Sequence, residues 1–121
     1  MRHVTQILVI EDDRDIRDLL RDVLSDEGYE LLFVEHPDRA PADAAPDLVV
    51  TDLVGLQHYD GGAARASIRR LQERYPAAPV IVCTAQEEAI DEPDRLGAAA
   101  LLSKPFTIEL LLETVARLAA L

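Results

Sequence analysis

The sequence predicts an α/β fold, doubly wound, with a parallel sheet covered by helices on both faces. Three observations carry that prediction. Short apolar runs alternate with longer amphipathic or polar stretches along the whole chain. Two of the runs, Ile7-Leu8-Val9-Ile10 and Leu48-Val49-Val50-Thr51, are almost continuously apolar, the pattern of strands buried on both faces. Both then end in carboxylates, Glu11-Asp12-Asp13 and Asp52, and open parallel sheets bind their ligands in the crevice beyond the carboxyl ends of the strands.

Residues 7–10 form the first predicted strand. From Asp13 onward, Ile16, Leu19, Leu20, Val23 and Leu24 recur at helical spacing with Arg and Asp on the other side, and Gly28 supplies a C-terminal stop. Residues 29–34 are the second strand. The stretch 36–45 carries Pro37 and Pro41 and no large apolar residue, so any helix there is short or irregular. Residues 46–53 hold the third strand, and 54–62 form a glycine-bearing loop able to bend back over its end. Residues 63–75 read as a helix, with Ile68 and Leu71 inward, Arg65, Arg69, Arg70 and Arg74 outward, and a stop before Pro76. The fourth strand is 79–84. Residues 86–96 are acidic and contain Pro93, so a helix there is short, late or kinked. The fifth strand, 98–102, leads into Ser103-Lys104-Pro105-Phe106. Thr107 then caps a last helix in which Ile108, Leu111, Leu112, Val115 and Leu118 share one side.

A length of 121 residues suits one domain with a real core, and no repeat, linker or low-complexity tract divides it. The reading is a single domain over 1–121 with no effector domain. Few aromatics and no Trp mean a core of Val, Ile, Leu and Ala. A formal net charge of −11 opposes direct binding to nucleic acid or to an anionic membrane, and favours cations and basic protein surfaces. Cys83 is the one cysteine, which excludes an internal disulfide, and its apolar neighbours predict a buried thiol. The N-terminus lacks the apolar region of a signal peptide and no run is long enough to span a bilayer, so the expected location is cytoplasmic.

In this arrangement Glu11, Asp12, Asp52, Thr84 and Lys104 all reach the same edge of the sheet. Two carboxylates ~4 Å apart repel by about 4 kcal/mol at an effective dielectric of 20, so a positive charge is required among them. A donor set of oxygens without His or Cys favours a hard cation, Mg²⁺ before Zn²⁺, and Lys104 adds a fixed charge. Carboxylate, Mg²⁺, lysine and hydroxyl together suit phosphoryl transfer onto Asp52, a reaction governed by positioning and charge neutralisation, with Thr84 donating to a phosphoryl oxygen. Blander readings stand beside this one: Asp13 as the N-cap of the first helix, His58 as an exposed loop residue, and Glu87-Glu88 with Asp91-Glu92 as a solvated face.

The runs 7–13, 46–53 and 80–85, with Gly97-Ala98 and Ser103-Lys104-Pro105-Phe106, resemble the receiver domain of bacterial two-component response regulators over nearly the whole chain. That resemblance implies a flavodoxin-like (βα)5 fold with strand order 2-1-3-4-5. It implies Asp52 as phosphoacceptor, Asp12 as a direct Mg²⁺ ligand, Glu11 holding the metal through water, and the backbone carbonyl of Val54 completing the protein's share of the shell. Thr84 and Lys104 would bind phosphoryl oxygens, and a cis peptide would precede Pro105. The implied partners are a sensor histidine kinase or histidine phosphotransfer protein and an unknown output protein, and the implied role is signalling rather than enzymatic turnover. The chain departs from the pattern at Leu101, which replaces the switch aromatic, in the loop carrying Gln57-His58-Tyr59, and in the two proline-bearing segments. These departures motivate an alternative, a phosphorylation-independent interaction module with a retained acidic pocket. An aspartate-nucleophile phosphohydrolase is the third reading, and Val54, two residues after Asp52, leaves it without its usual second acid.

Overall fold

The computed structural model describes residues 4–52, 60–85 and 97–119. Five parallel strands, β1 (Gln6–Ile10), β2 (Glu30–Val34), β3 (Leu48–Thr51), β4 (Val80–Thr84) and β5 (Ala100–Ser103), form one sheet in the order β2-β1-β3-β4-β5. Three α-helices lie among the described residues: α1 (Arg14–Asp26), α2 (Gly61–Arg74) and α3 (Ile108–Ala119).

The strands alternate their side chains between two cores. Leu8, Ile10, Val49, Val80 and Val82 pack with Ala64, Ile68 and Leu71 of α2 on one face. Ile7, Val9, Leu48, Val50, Ile81 and Cys83 pack with Leu20 and Leu24 of α1 and Leu111, Val115 and Leu118 of α3 on the other. Helices on both faces explain why β1, β3 and β4 are apolar almost throughout. At the opposite end of the sheet from the carboxylates, Asp47 Oδ2 accepts the Gln6 N–H at 2.8 Å, and the Asp47 N–H donates to the Gln6 carbonyl at 2.8 Å. That reciprocal pair pins β1 to β3.

Helix α1 begins at Asp13, whose carboxylate accepts the N–H groups of Asp15 and Ile16, so its capping role holds. It ends before Gly28, at φ 89°, a conformation that a side chain strains. Helix α2 starts two residues earlier than its apolar spacing suggests, because Asp60 caps Gly62 and Ala63 and draws both glycines into the first turn. Strand β5 begins two residues later than the run of apolar residues and ends one residue later, since pairing of Thr84 with Ser103 continues the ladder past Leu102. Thr107 Oγ1 accepts the Leu110 N–H at 3.1 Å, as a cap does.

The stretch between β2 and β3 holds only a single 3₁₀ turn, Pro37–Arg39. Two residues at the end of α2 hold it in place. Arg74 Nη1 donates to the Ala40 carbonyl at 2.6 Å, and the Tyr75 hydroxyl donates to the Pro41 carbonyl. Two apolar residues placed inward by helical spacing are exposed instead, Leu19 at 47 % and Ile108 at 42 %. Among the described residues no helix is long and apolar enough to cross a membrane.

Candidate functional site

Register brings the acidic residues together. Ile10 pairs with Thr51, so Glu11 and Asp52 leave adjacent strands at the same level, and the Asp52 N–H donates to the Ile10 carbonyl at 3.0 Å. Glu11 is tied to the other neighbour through its N–H to the Val34 carbonyl at 3.1 Å. Thr84 ends β4 with its side chain buried, and its carbonyl accepts the Lys104 N–H at 2.9 Å. The next peptide, Lys104–Pro105, is cis.

Carboxylate oxygens of Glu11, Asp12 and Asp52 all lie within 4.8 Å of one another. The Lys104 ammonium bridges two of them, 3.2 Å from Glu11 Oε2 and 3.2 Å from Asp52 Oδ2. Glu11 is only 3 % exposed, and its other oxygen accepts the Asp13 N–H at 3.1 Å. Asp12 is open to solvent and Asp52 lies between these extremes. One ammonium is thus shared by two of the three carboxylates.

The titration of these groups follows from that placement. Burial raises the Glu11 pKa, with Asp52 adding to the rise and the Asp13 amide and Lys104 opposing it. Burial alone would lower the Lys104 pKa, but the Asp52 and Glu11 carboxylates more than offset it and hold the ammonium above its ordinary value. Beneath them the Cys83 thiol is pushed up to about 12 by burial, so it stays protonated and behaves as core.

The donor set fits a hard divalent cation: carboxylate oxygens only, one exposed, one half-buried and one buried, with their negative charge incompletely neutralised by a single lysine. Of the residues singled out by sequence, Glu11, Asp12, Asp52 and Lys104 form one cluster, and Thr84 adjoins it through the backbone of Lys104. Val54, His58 and the acidic stretch 86–96 lie outside the described residues. Periodicity did not reveal an apolar recess of about 370 Å³ lined by Ile16, Leu19, Leu20, Ala85, Pro105 and Phe106, with Lys104 at its edge. The one available signal was that α1 carries more apolar residues than its core-facing stripe can bury.

Comparison with known proteins agrees with this geometry. The family model for the response regulator receiver domain matches residues 7–116. The chain is 39 % identical over 118 residues to the response regulator protein FleR of Pseudomonas aeruginosa, covering 93 % of this chain and 24 % of FleR. It is 39 % identical over 110 residues to the KDP operon transcriptional regulatory protein KdpE of Escherichia coli, covering 87 % of this chain and 47 % of KdpE. The chain therefore spans between a quarter and about half the length of these relatives. Among solved structures, the response regulator protein TrrA of Thermotoga maritima, in complex with Mg(2+)-BeF, superposes with a TM-score of 0.76 at 26 % identity, covering 95 % of this chain and 99 % of TrrA.

Proposed function

Because the chain belongs to the response regulator receiver domain family, we propose that it accepts a phosphoryl group on Asp52 from a phosphohistidine and thereby switches a protein–protein interaction. The observation that carries this reading is the Lys104 ammonium held 3.2 Å from both Asp52 and Glu11, inside a cluster of three carboxylates. A lysine fixed there can exchange a carboxylate partner for a phosphoryl oxygen with little reorganisation.

Glu11, Asp12 and Asp52 are the residues that would hold Mg²⁺, with the Val54 carbonyl as the further ligand the family resemblance implies. When bound, the cation neutralises charge on the carboxylates and on the incoming phosphoryl oxygens. The chain's own residues do the rest. An Asp52 carboxylate oxygen attacks phosphorus, the new P–O bond forms as the P–N bond to the donor imidazole breaks, and the leaving nitrogen regains a proton from solvent. Lys104 pairs with a phosphoryl oxygen, and the hydroxyl of Thr84, the last residue of β4, donates to another. The apolar recess beside Lys104, with Leu19 exposed on its rim, is a surface on which a sensor histidine kinase or phosphotransfer protein can seat its histidine over Asp52. The output protein and a cytoplasmic setting belong to the same reading.

Incubation with Mg²⁺ and acetyl phosphate tests it. Intact-mass analysis is expected to record one added phosphoryl group in the native chain, mapped by borohydride trapping to Asp52, and none in Asp52→Ala. An unchanged mass, or an equal gain in Asp52→Ala, overturns the reading.

A further inference from the structure

Eleven arginines and one lysine supply the positive charge of the chain, and four of the arginines, Arg65, Arg69, Arg70 and Arg74, fall on α2. Arg74 is engaged with the Ala40 carbonyl. Arg65, Arg69 and Arg70 are exposed, and among the described residues none of them forms an ion pair, although the chain carries 23 acidic residues. With Gly62, Ala66 and Glu73 they line a shallow groove of about 460 Å³, in which three guanidinium groups outweigh the single carboxylate of Glu73. Helix α2 covers the sheet face opposite α1 and α3.

We propose that this arginine-lined groove is a docking surface for an acidic segment of a partner protein. Charge complementarity selects the occupant. Guanidinium groups pair carboxylates in a planar, two-pronged geometry, and Arg65 and Arg69, one helical turn apart, match carboxylates spaced four residues apart on a partner helix. Arg65 to Arg70 spans about 8 Å along the helix axis. A polynucleotide, with a charge every ~1.7 Å of duplex, would run off so short a patch. Beyond the patch it would meet the surface of a chain with net charge −11. A small anion at the start of the helix is disfavoured because Asp60 already caps those N–H groups with its own negative charge. A second copy of the chain would bring one net charge of −11 against another. An acidic segment short enough to stay on the patch meets its guanidinium groups without extending over the acidic remainder of the surface.

The test uses the full chain and a fluorescein-labelled hexa-glutamate peptide, about 9 Å long as a helix, read by anisotropy. Saturable binding is expected, weakening about tenfold or more between roughly 25 and 200 mM NaCl. A loss of about tenfold or more is expected in Arg65→Glu/Arg69→Glu, and a smaller loss in Arg65→Gln/Arg69→Gln. Arg117→Glu, an exposed position on α3, is expected to leave binding unchanged. The melting temperature of each variant separates a docking effect from misfolding, and the Gln pair keeps the test open if the Glu pair does not fold. Equal peptide binding by native chain and both double variants overturns the proposal. So does tighter binding of an oligothymidylate of equal charge, or, by sedimentation, self-association that the double variant abolishes while the peptide fails to bind.

Discussion

Ile10 and Glu11 are consecutive residues, both buried, at 1 % and 3 % exposure, yet they act on the fold in opposite directions. Ile10 faces α2 in a close-packed layer with Leu8, Val82, Ala64 and Ile68, and its burial stabilises the domain by the apolar surface it removes from water. Glu11, one residue further along the strand, brings a carboxylate into the same low-dielectric setting, where burial raises its pKa and one lysine must be shared with Asp52. The interior of the sheet supplies stability, and its carboxyl edge spends part of it on holding like charges together. Like charges held together in this way favour a bound cation and cost stability without one.

Substitutions on either side of that boundary should differ in sign as well as size. The largest effect is expected from Ile10→Ala, which opens a cavity in the layer packed against α2 and should lower the unfolding free energy by about 4 kcal/mol in urea titrations. Next is Lys104→Gln, which leaves Glu11 and Asp52 without their ammonium and should cost about 2 kcal/mol at neutral pH, less than a fully buried pair because Lys104 is 18 % exposed. The raised Lys104 pKa fixes the pH dependence: its contribution is complete below the ordinary lysine value of 10.5 and is lost as pH rises through the higher folded value. Native and Lys104→Gln melting curves should therefore converge in strongly alkaline buffer.

Glu11→Gln should move the other way, stabilising the metal-free protein by about 1 kcal/mol at neutral pH by removing a buried charge. Glu11 has a raised folded pKa, so the native protein recovers this deficit by protonating Glu11 as pH falls toward 4.5. The advantage of the variant should shrink over that range. Adding Mg²⁺ should reverse the ranking, since the native site gains more from the cation. A destabilised Glu11→Gln at neutral pH would break the comparison. The smallest effect on stability is expected from Leu19→Ala, within about 0.5 kcal/mol because the side chain is exposed. The same variant should slow phosphotransfer from a histidine kinase while leaving phosphorylation by acetyl phosphate unchanged.

Most of the sheet was legible in the sequence because continuous apolar runs ending in carboxylates leave few alternatives to buried parallel strands. Asp13 and Thr107 were legible as caps for the same local reason: a short polar side chain before an amphipathic run. Boundaries that depend on partners were not. The start of α2 at Gly61 is set by Asp60, and β5 reaches Ser103 because Thr84 lies beside it. Periodicity also cannot say how wide a helix face the core will cover, so Leu19 and Ile108 look like core residues and are not. At the site, the set Glu11, Asp12, Asp52 and Lys104 was readable from residue type and strand-end position. The depth of Glu11, and its division between the Asp13 amide and the Lys104 ammonium, depended on strand register, which residue type alone does not encode.

Asp52, Asp12 and Lys104 are proposed to form one phosphoryl-accepting site. Fluorine NMR of the chain with Mg²⁺ and beryllofluoride tests it most directly. Bound fluorine resonances are expected at one adduct per chain, absent without Mg²⁺ and absent in Asp52→Ala. Bound resonances that persist in Asp52→Ala, or a native spectrum showing only free beryllofluoride, would contradict it.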